Sequence, residues 1–301
     1  MRVSDLFCGC GGLSLGFDKA GFDIVSAYDN WTVALETYRL NFRHKAQYLD
    51  LKDIEKSIET IALDKPEMII GGPPCQDFSS AGKRDENNGR GDLTVCYSTI
   101  IEKIRPRWFV MENVERILKT DKLAQAKIVF ERAGYGMTQM VLDASLCGVP
   151  QKRKRFILIG ALGEKDHFMD EILKEGLSST PMTVADYLGD SLGIEYYYRH
   201  PRSYARRGIF SIHEPSPTIR GVNRPIPQGY QLKHNDPVTT LKGVRPLTTI
   251  ERSYIQTFPK SFQFAGSKTE MEQMIGNAVP VNLAYYVAKS IKRFIDSKSE
   301  I

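Results

Sequence analysis

The chain has 301 residues, 42% of them hydrophobic and 26% charged, with a formal net charge of +5, enough for one large domain or two unequal ones. No apolar run approaches the roughly 20 residues of a membrane-spanning helix, and Asp5 with the following glycines interrupts the N-terminus "MRVSDLFCG", so no signal peptide is expected. Five scattered cysteines (Cys8, Cys10, Cys75, Cys96 and Cys147) form an odd set that points to a reducing, cytoplasmic compartment and away from a disulfide framework. Cys8 and Cys10 make a CxC without a second pair of ligands, so no metal site is expected.

Strand-like and helix-like stretches alternate through the first 160 residues. "MRVSDLF" (1–7) reads as a strand, followed by a glycine-rich loop and an amphipathic helix near 13–20. "FDIVSAYD" (22–29) is the second strand and 31–42 a helix. "EMIIGG" (67–72) is a short buried strand ending at Gly71-Gly72, then come a helix around 94–104, the strand "RWFVMENV" (107–114) and a helix near 120–134. "MTQMVLDAS" (137–145) and "RFILIGAL" (155–162) are the last two strands. Such alternation predicts an α/β fold with a doubly wound, mostly parallel sheet.

The character changes after about residue 163. Residues 196–252 hold seven of the fifteen prolines and show no helical period. The pattern divides the chain into 1–163 plus 266–301 as one domain and 164–265 as a smaller, irregular β-rich domain. Near the C-terminus Leu283, Tyr286, Val287, Ser290, Ile291 and Phe294 fall at helical spacing, predicting a helix that packs back on the first domain. Residues 196–252 also contain ten Arg or Lys against three Asp or Glu, so this segment carries the whole positive excess. That suits a polyanion-binding surface, although scattered solvated charge would give the same count.

Three local features carry chemistry. In "DLFCGCGGLSLGF", Gly9, Gly11 and Gly12 let the backbone pass close to a ligand at a helix N-terminus. A dinucleotide fingerprint would want glycine where Ser14 stands. The second strand ends in "YDN", where Asp29 is placed to accept ribose hydroxyls, or is simply an exposed loop acid. Third, "IIGGPPCQDFS" puts Cys75 behind Pro73 and Pro74. Both prolines fix their own φ, and Pro74 also pushes Pro73 out of the helical region, so Cys75 leaves the strand on a stiff backbone. Stiffness suits a nucleophile that must approach one atom at one angle. A small buried hydrophobe in a tight turn is the competing reading.

With "DLFCGCGG", "GGPPCQDFS", "MENV", "QKRKR", "RPLTTIERSYIQTFP" and "GNAVPVN" in this order from residue 5 to 282, the chain resembles a cytosine-C5 DNA methyltransferase of the bacterial restriction–modification type. The resemblance implies the S-adenosylmethionine-dependent methyltransferase fold, with 164–265 as a target recognition domain. It implies S-adenosylmethionine as cofactor, contacted by Phe7, Gly9, Gly11, Gly12, Asp29, Asn30, Asp50, Leu51, Pro73 and Asn277. Asn30 stands where the family often has a bulky apolar residue, with Trp31 next. Ile250 departs from the usual "LTxRE", while Glu251 is retained.

For the reaction, the resemblance implies that Cys75 adds as thiolate to cytosine C6, giving the weakly nucleophilic C5 enamine-like character. Glu112 in "MENV" would hydrogen-bond N3 and N4. In "QKRKR", Arg153 and Arg155 fall on one face of an extended segment, and Arg155 would steady charge rising at O2. The target nucleotide must leave the duplex stack. Residues 76–95 read as a lid closing over double-stranded DNA, with Gln76, Ser79 or Ser80 as candidates for filling the vacated space. Thr218, Arg220 and Arg224 would lie near the flipped nucleotide, and Arg206 and Arg207 would contact phosphates. The enzyme is expected to be a monomer whose functional counterpart is a restriction endonuclease. A tRNA cytosine methyltransferase fits the proline-rich basic segment less well. A catalytically silent DNA-binding homologue is at odds with intact Cys75, Glu112 and Arg155. A thiol redox enzyme would want a second cysteine nearer to Cys75 than Cys96.

Overall fold

The computed structural model describes residues 1–74, 92–201, 203 and 206–299. β1 (Arg2–Leu6), β2 (Asp23–Asp29) and β3 (Lys45–Tyr48) are linked by α1 (Gly12–Lys19) and α2 (Thr32–Asn41). α3 (Ile54–Ala62) leads into β4 (Met68–Gly71), then α4 (Leu93–Ile104), β5 (Trp108–Val114), α5 (Asp121–Arg132) and β6 (Tyr135–Asp143). Two-residue β7 (Gln151–Lys152) precedes β8 (Lys154–Leu162).

One sheet takes seven of these strands in the order β3-β2-β1-β4-β5-β8-β6. The pairs from β3 through β5 are parallel, and β8 runs antiparallel between β5 and β6. All four residues of β4 are buried, which is why "MIIG" reads as a continuous apolar run: helices cover both faces of the sheet. On one face, Phe17 of α1 packs with Val110, Ile159, Leu283, Val287 and Ile291. On the other, Ile61, Ile100 and Phe130 of α3, α4 and α5 cover Ile69, Phe109 and Leu158. Each such fully buried side chain contributes about 1.5–3 kcal/mol.

β3 and α3 have no counterpart in the sequence reading. β3 is an edge strand of "KAQY" with no buried residue, so it carries no hydrophobic signal. β6 begins two residues before the expected 137, because Tyr135 and Gly136 already pair with Leu162 and Ala161.

Beyond residue 163, α6 (Asp170–Glu175) returns to the main core through Leu173. α7 (Val184–Leu188), β9 (Tyr196–Tyr198), β10 (Ile209–Ser211), β11 (Ser216–Pro217), β12 (Arg245–Pro246) and α8 (Thr249–Ile255) follow. β10-β9-β12 form a small sheet, with Val184, Tyr197, Phe210, Ile219, Leu247 and Ile255 in a cluster of their own. The three helices lie in a stretch read as strands and loops. At 6, 5 and 7 residues they are too short to display a period. α9 (Lys268–Asn277) and α10 (Val281–Ser299) close the chain. As the spacing predicts, α10 buries Leu283, Val287, Ile291 and Phe294 against the first core. No described helix is long and apolar enough to cross a membrane.

Candidate active site

The chain runs outward from β1 to β2 and β3, then crosses back to β4 and β5 on the other side of β1. Ligands of doubly wound sheets bind at the strand carboxyl ends where the order reverses. There a cleft of about 1570 Å³ opens, lined by the loops after β1, β2, β4 and β5 and by residues 199, 201, 206, 207, 210 and 217–221.

The β1–α1 turn forms one end. Phe7 and Gly9 both have positive φ, 61° and 52°, and a side chain on Gly9 would meet no atom within 4 Å. Gly9 therefore opens onto the cleft. Gly12 also lines the cleft and Gly11 does not, and close packing bars a side chain at both. A Cβ would fall 2.4 Å from the Phe42 ring at Gly11 and 2.2 Å from the Val279 carbonyl at Gly12. Ser14, the departure from the dinucleotide pattern, has a structural partner: its hydroxyl donates to Asp5 Oδ2 at 2.6 Å and accepts from the Tyr38 hydroxyl at 2.6 Å. Burial pushes the Asp5 carboxyl up to about 7.

Asp29 ends β2 at the same place. Its Oδ2 accepts from Gly9 N and its Oδ1 from Trp31 N, each at 2.8 Å, so the carboxylate is fixed in position. Burial raises its pKa, against the lowering effect of these backbone donors. Each oxygen retains a lone pair for a ligand hydroxyl. Asn30, Trp31, Asp50 and Leu51 line the cleft beside it, as do Phe7, Pro73 and Asn277. Trp31, next to Asn30, packs against the cluster of Phe258, Phe262 and Met274. None of the cleft-lining residues numbered below 52 is basic. This end suits a ligand with hydroxyl groups and positive charge, and brings no basic side chain to a phosphate tail.

The other end is built on β5 and β8. Val114 lies opposite Arg155 in the register, so Arg155 reaches diagonally to Glu112, two residues back on the same face. Arg155 Nε stands 2.8 Å from Glu112 Oε1, with the side chains 13% and 11% exposed. Asn113, which the sequence reading passed over within "MENV", donates from Nδ2 to Pro73 O at 2.8 Å and so ties β5 to the segment leading to position 75. Cys75, Gln76, Ser79 and most of the expected 76–95 lid lie outside the described residues. The other four cysteines are buried. Burial raises all four thiols, Cys10 and Cys147 to about 12, which leaves them poor nucleophiles.

Arg153 is placed quite differently from Arg155. It is 1% exposed, and its guanidinium donates to the carbonyls of Ile219, Gly276 and Ala278 at 3.0–3.1 Å. These contacts, with the β11–β7 pairing, bring residues 216–219 to the junction of β7 and β8. Thr218 Oγ1 donates to Lys152 O at 2.8 Å, and Thr218 and Arg220 both line the cleft. Arg224 is exposed away from its lining. Arg206 is exposed at the rim, whereas Arg207 pairs with Glu214 and lies 4.3 Å over the Phe210 ring. Arg199, not singled out in the sequence, lines the cleft and donates to Thr218 O at 2.7 Å. Its only signal was membership of the basic segment.

Residues 1–293 match the family model for C-5 cytosine-specific DNA methylase. The chain belongs to this family. It is 60% identical to the type II methyltransferase M.HindV of Haemophilus influenzae, covering 98% of this chain and 97% of that one. It is 53% identical to the type II methyltransferase M.HgiDI of Herpetosiphon aurantiacus, over 98% and 96%. The fold matches that of the S. pombe Dnmt2 methyltransferase with a TM-score of 0.72 at 17% identity, over 99% of both chains. In this methylase the departure Ile250 is an exposed residue of α8. The retained Glu251 caps the helix through Thr248 and holds Arg245.

Proposed function

We propose that this methylase transfers a methyl group from S-adenosylmethionine to C5 of a cytosine within a specific sequence of double-stranded DNA. The observation that carries the reading is the Glu112–Arg155 pair in one cleft with the backbone-anchored Asp29. The 53–60% identity to type II methyltransferases supports it.

Asp29 and Asp50 would bind the ribose hydroxyls and the adenine amino group, with Trp31, Leu51 and Phe7 packing on the adenosine and Asn277 and Pro73 beside it. When bound, S-adenosylmethionine supplies an electrophilic methyl group. Everything else falls to the chain. The Cys75 thiolate forms a bond to C6 of the extruded cytosine, moving electron density to N3, O2 and C5. Glu112 gives N3 a proton or hydrogen bond and accepts one from N4, while Arg155 holds Glu112 and faces the charge growing at O2. After C5 has gained its methyl, a solvent water takes the C5 proton, N3 returns its proton to Glu112, and the Cys75–C6 bond breaks to restore the aromatic ring and the thiolate. Asn113, by anchoring Pro73 O, would set the backbone from which Cys75 departs.

In this reading 1–163 with 266–301 is the catalytic and cofactor-binding domain and 164–265 the target recognition domain. Arg220, Arg224 and Thr218 meet bases near the flipped nucleotide, Arg206 meets a phosphate, and Gln76 and Ser79 fill the space that the nucleotide leaves. The enzyme works as a cytoplasmic monomer, protecting host DNA from a companion restriction endonuclease. Transfer of tritium from methyl-labelled S-adenosylmethionine to random duplexes tests this, with tRNA in parallel. Label in 5-methylcytosine at one sequence is expected; label in tRNA alone, or in no nucleic acid, would refute it.

A further inference from the structure

α8 and α9 contribute an ion pair that the reaction does not call for. Arg252 and Glu272 are each 4% exposed, and their side chains pair with each other. Burying two charges costs several kcal/mol, and an apolar pair of equal volume often serves stability as well or better. What this pair holds is a stretch of backbone. Arg252 Nη2 donates to the carbonyl of Arg220 and, at 3.4 Å, to that of Val222. Glu272 Oε1 accepts from Thr249 Oγ1 at 2.8 Å and from Asn223 Nδ2 at 3.1 Å. Asn223 Nδ2 also reaches Leu247 O at 2.8 Å.

The same stretch lies flush on α9. A Cβ on Gly276 would fall 2.2 Å from Gly221 N, and one on Gly221 would fall 2.2 Å from Gln273 Oε1. From the catalytic side, Arg153 holds the preceding carbonyl, Ile219 O, at 3.0 Å. Two buried guanidiniums thus grip the carbonyls of residues 219, 220 and 222, and Arg220, in the same stretch, lines the cleft with its Nη2 donating to His200 O at 2.6 Å. A guanidinium's planar fork fixes both distance and direction, which an apolar contact does not.

We infer that the Arg252–Glu272 pair is a specificity-positioning device: it sets the backbone of residues 220–223 so that Arg220 meets its base in one register only. The inference rests on the reading of this segment as the DNA-facing one. Base discrimination by a side chain needs placement to within about 0.5 Å. Loosening the segment therefore erodes the difference between right and wrong sequences before it erodes folding.

The test uses the duplex that wild type methylates best and its single-base variants, with thermal unfolding followed in parallel. Arg252→Met combined with Glu272→Leu keeps the volume and removes both charges. The expected result is a protein that still folds cooperatively, with the preferred-to-variant rate ratio reduced about tenfold or more, since one base pair is worth about 1–3 kcal/mol. Asn223→Ala, which cuts only the link between segment and pair, is expected to lower the ratio by a smaller factor and covers the case in which the double variant fails to fold. Full discrimination in a folded double variant, or in Asn223→Ala if the double variant is unfolded, overturns the inference. Arg220→Ala separates the failures. If it erodes discrimination while the other variants do not, only the positioning role is lost. If it changes neither the preferred nor the variant rates, the DNA-facing placement of the segment is wrong and the inference falls with it. Absence of transfer by wild type would instead refute the proposed activity.

Discussion

Arg155 on β8 holds Glu112 on β5 across adjacent antiparallel strands, Nε to Oε1 at 2.8 Å. Both groups hang from strands paired with each other through this point, so their relative position is set before any substrate arrives. Such preorganisation lowers what must be rearranged as charge develops in the transition state.

Glu112→Gln keeps the shape and loses the proton chemistry. Turnover is expected to fall about 10²–10⁴-fold, with DNA affinity changed only a few-fold. Arg155→Met should cost a comparable factor, and the double variant little more than either single one, because the two act as a unit. Single-turnover rates at saturating DNA, with separate binding titrations, check this; simple additivity would separate the two roles.

Asp29→Ala removes an acceptor held by Gly9 N and Trp31 N. Cofactor affinity is expected to drop roughly 10–100-fold, the equivalent of about 1.5–3 kcal/mol for a hydrogen bond to a charged group. At saturating cofactor kcat should change little. Titration calorimetry with S-adenosylmethionine, set beside kcat, reads both, and a loss confined to kcat would speak against a binding role.

The central sheet and the ends of its strands were legible because buried strands leave apolar runs and their ends are marked by Gly, Pro and acid. Asp29, Glu112 and Pro73 all sit at such ends, and all reach one cleft. β3 was silent because an exposed edge strand needs no hydrophobic residue. The separate fates of Arg153 and Arg155 were also hidden. Alternation along an extended segment assigns a face, but whether that face meets solvent or the carbonyls of residues 219, 276 and 278 depends on chain remote in sequence. For the same reason Arg207, adjacent to Arg206, could not be foreseen to pair with Glu214.

Asp5 offers a pH test. Burial pushes its carboxyl up to about 7 from the ordinary 3.8, so between those values the native state holds a proton that the unfolded chain releases. Stability from this group is present at low pH and declines as pH rises through the window toward 7, with a slope of up to about 1.4 kcal/mol per unit. Asp5→Asn should flatten that slope. Urea midpoints from pH 5 to 8 for both proteins measure it, and equal slopes would place the pH dependence elsewhere.

Neighbouring arginines should part company in salt titrations. Arg206→Ala is expected to reduce the slope of log affinity against log salt by about one for any duplex, as one phosphate contact is lost. Arg207→Ala should leave that slope in place and lower the unfolding midpoint, since it strands Glu214 and uncovers Phe210. Filter binding at several salt concentrations distinguishes the two outcomes; a lower slope for Arg207→Ala alone would reverse the assignment.

The central claim is a covalent bond between Cys75 and cytosine C6. A duplex carrying 5-fluorocytosine at the methylated position, incubated with S-adenosylmethionine, tests it most directly, because fluorine cannot leave as a cation and the adduct cannot resolve. The account predicts a denaturant-stable protein–DNA complex whose peptide map places the DNA on Cys75 and whose formation is lost in Cys75→Ser. No stable complex from an enzyme that methylates the unfluorinated duplex, or an adduct on Cys8, Cys10, Cys96 or Cys147, would contradict it.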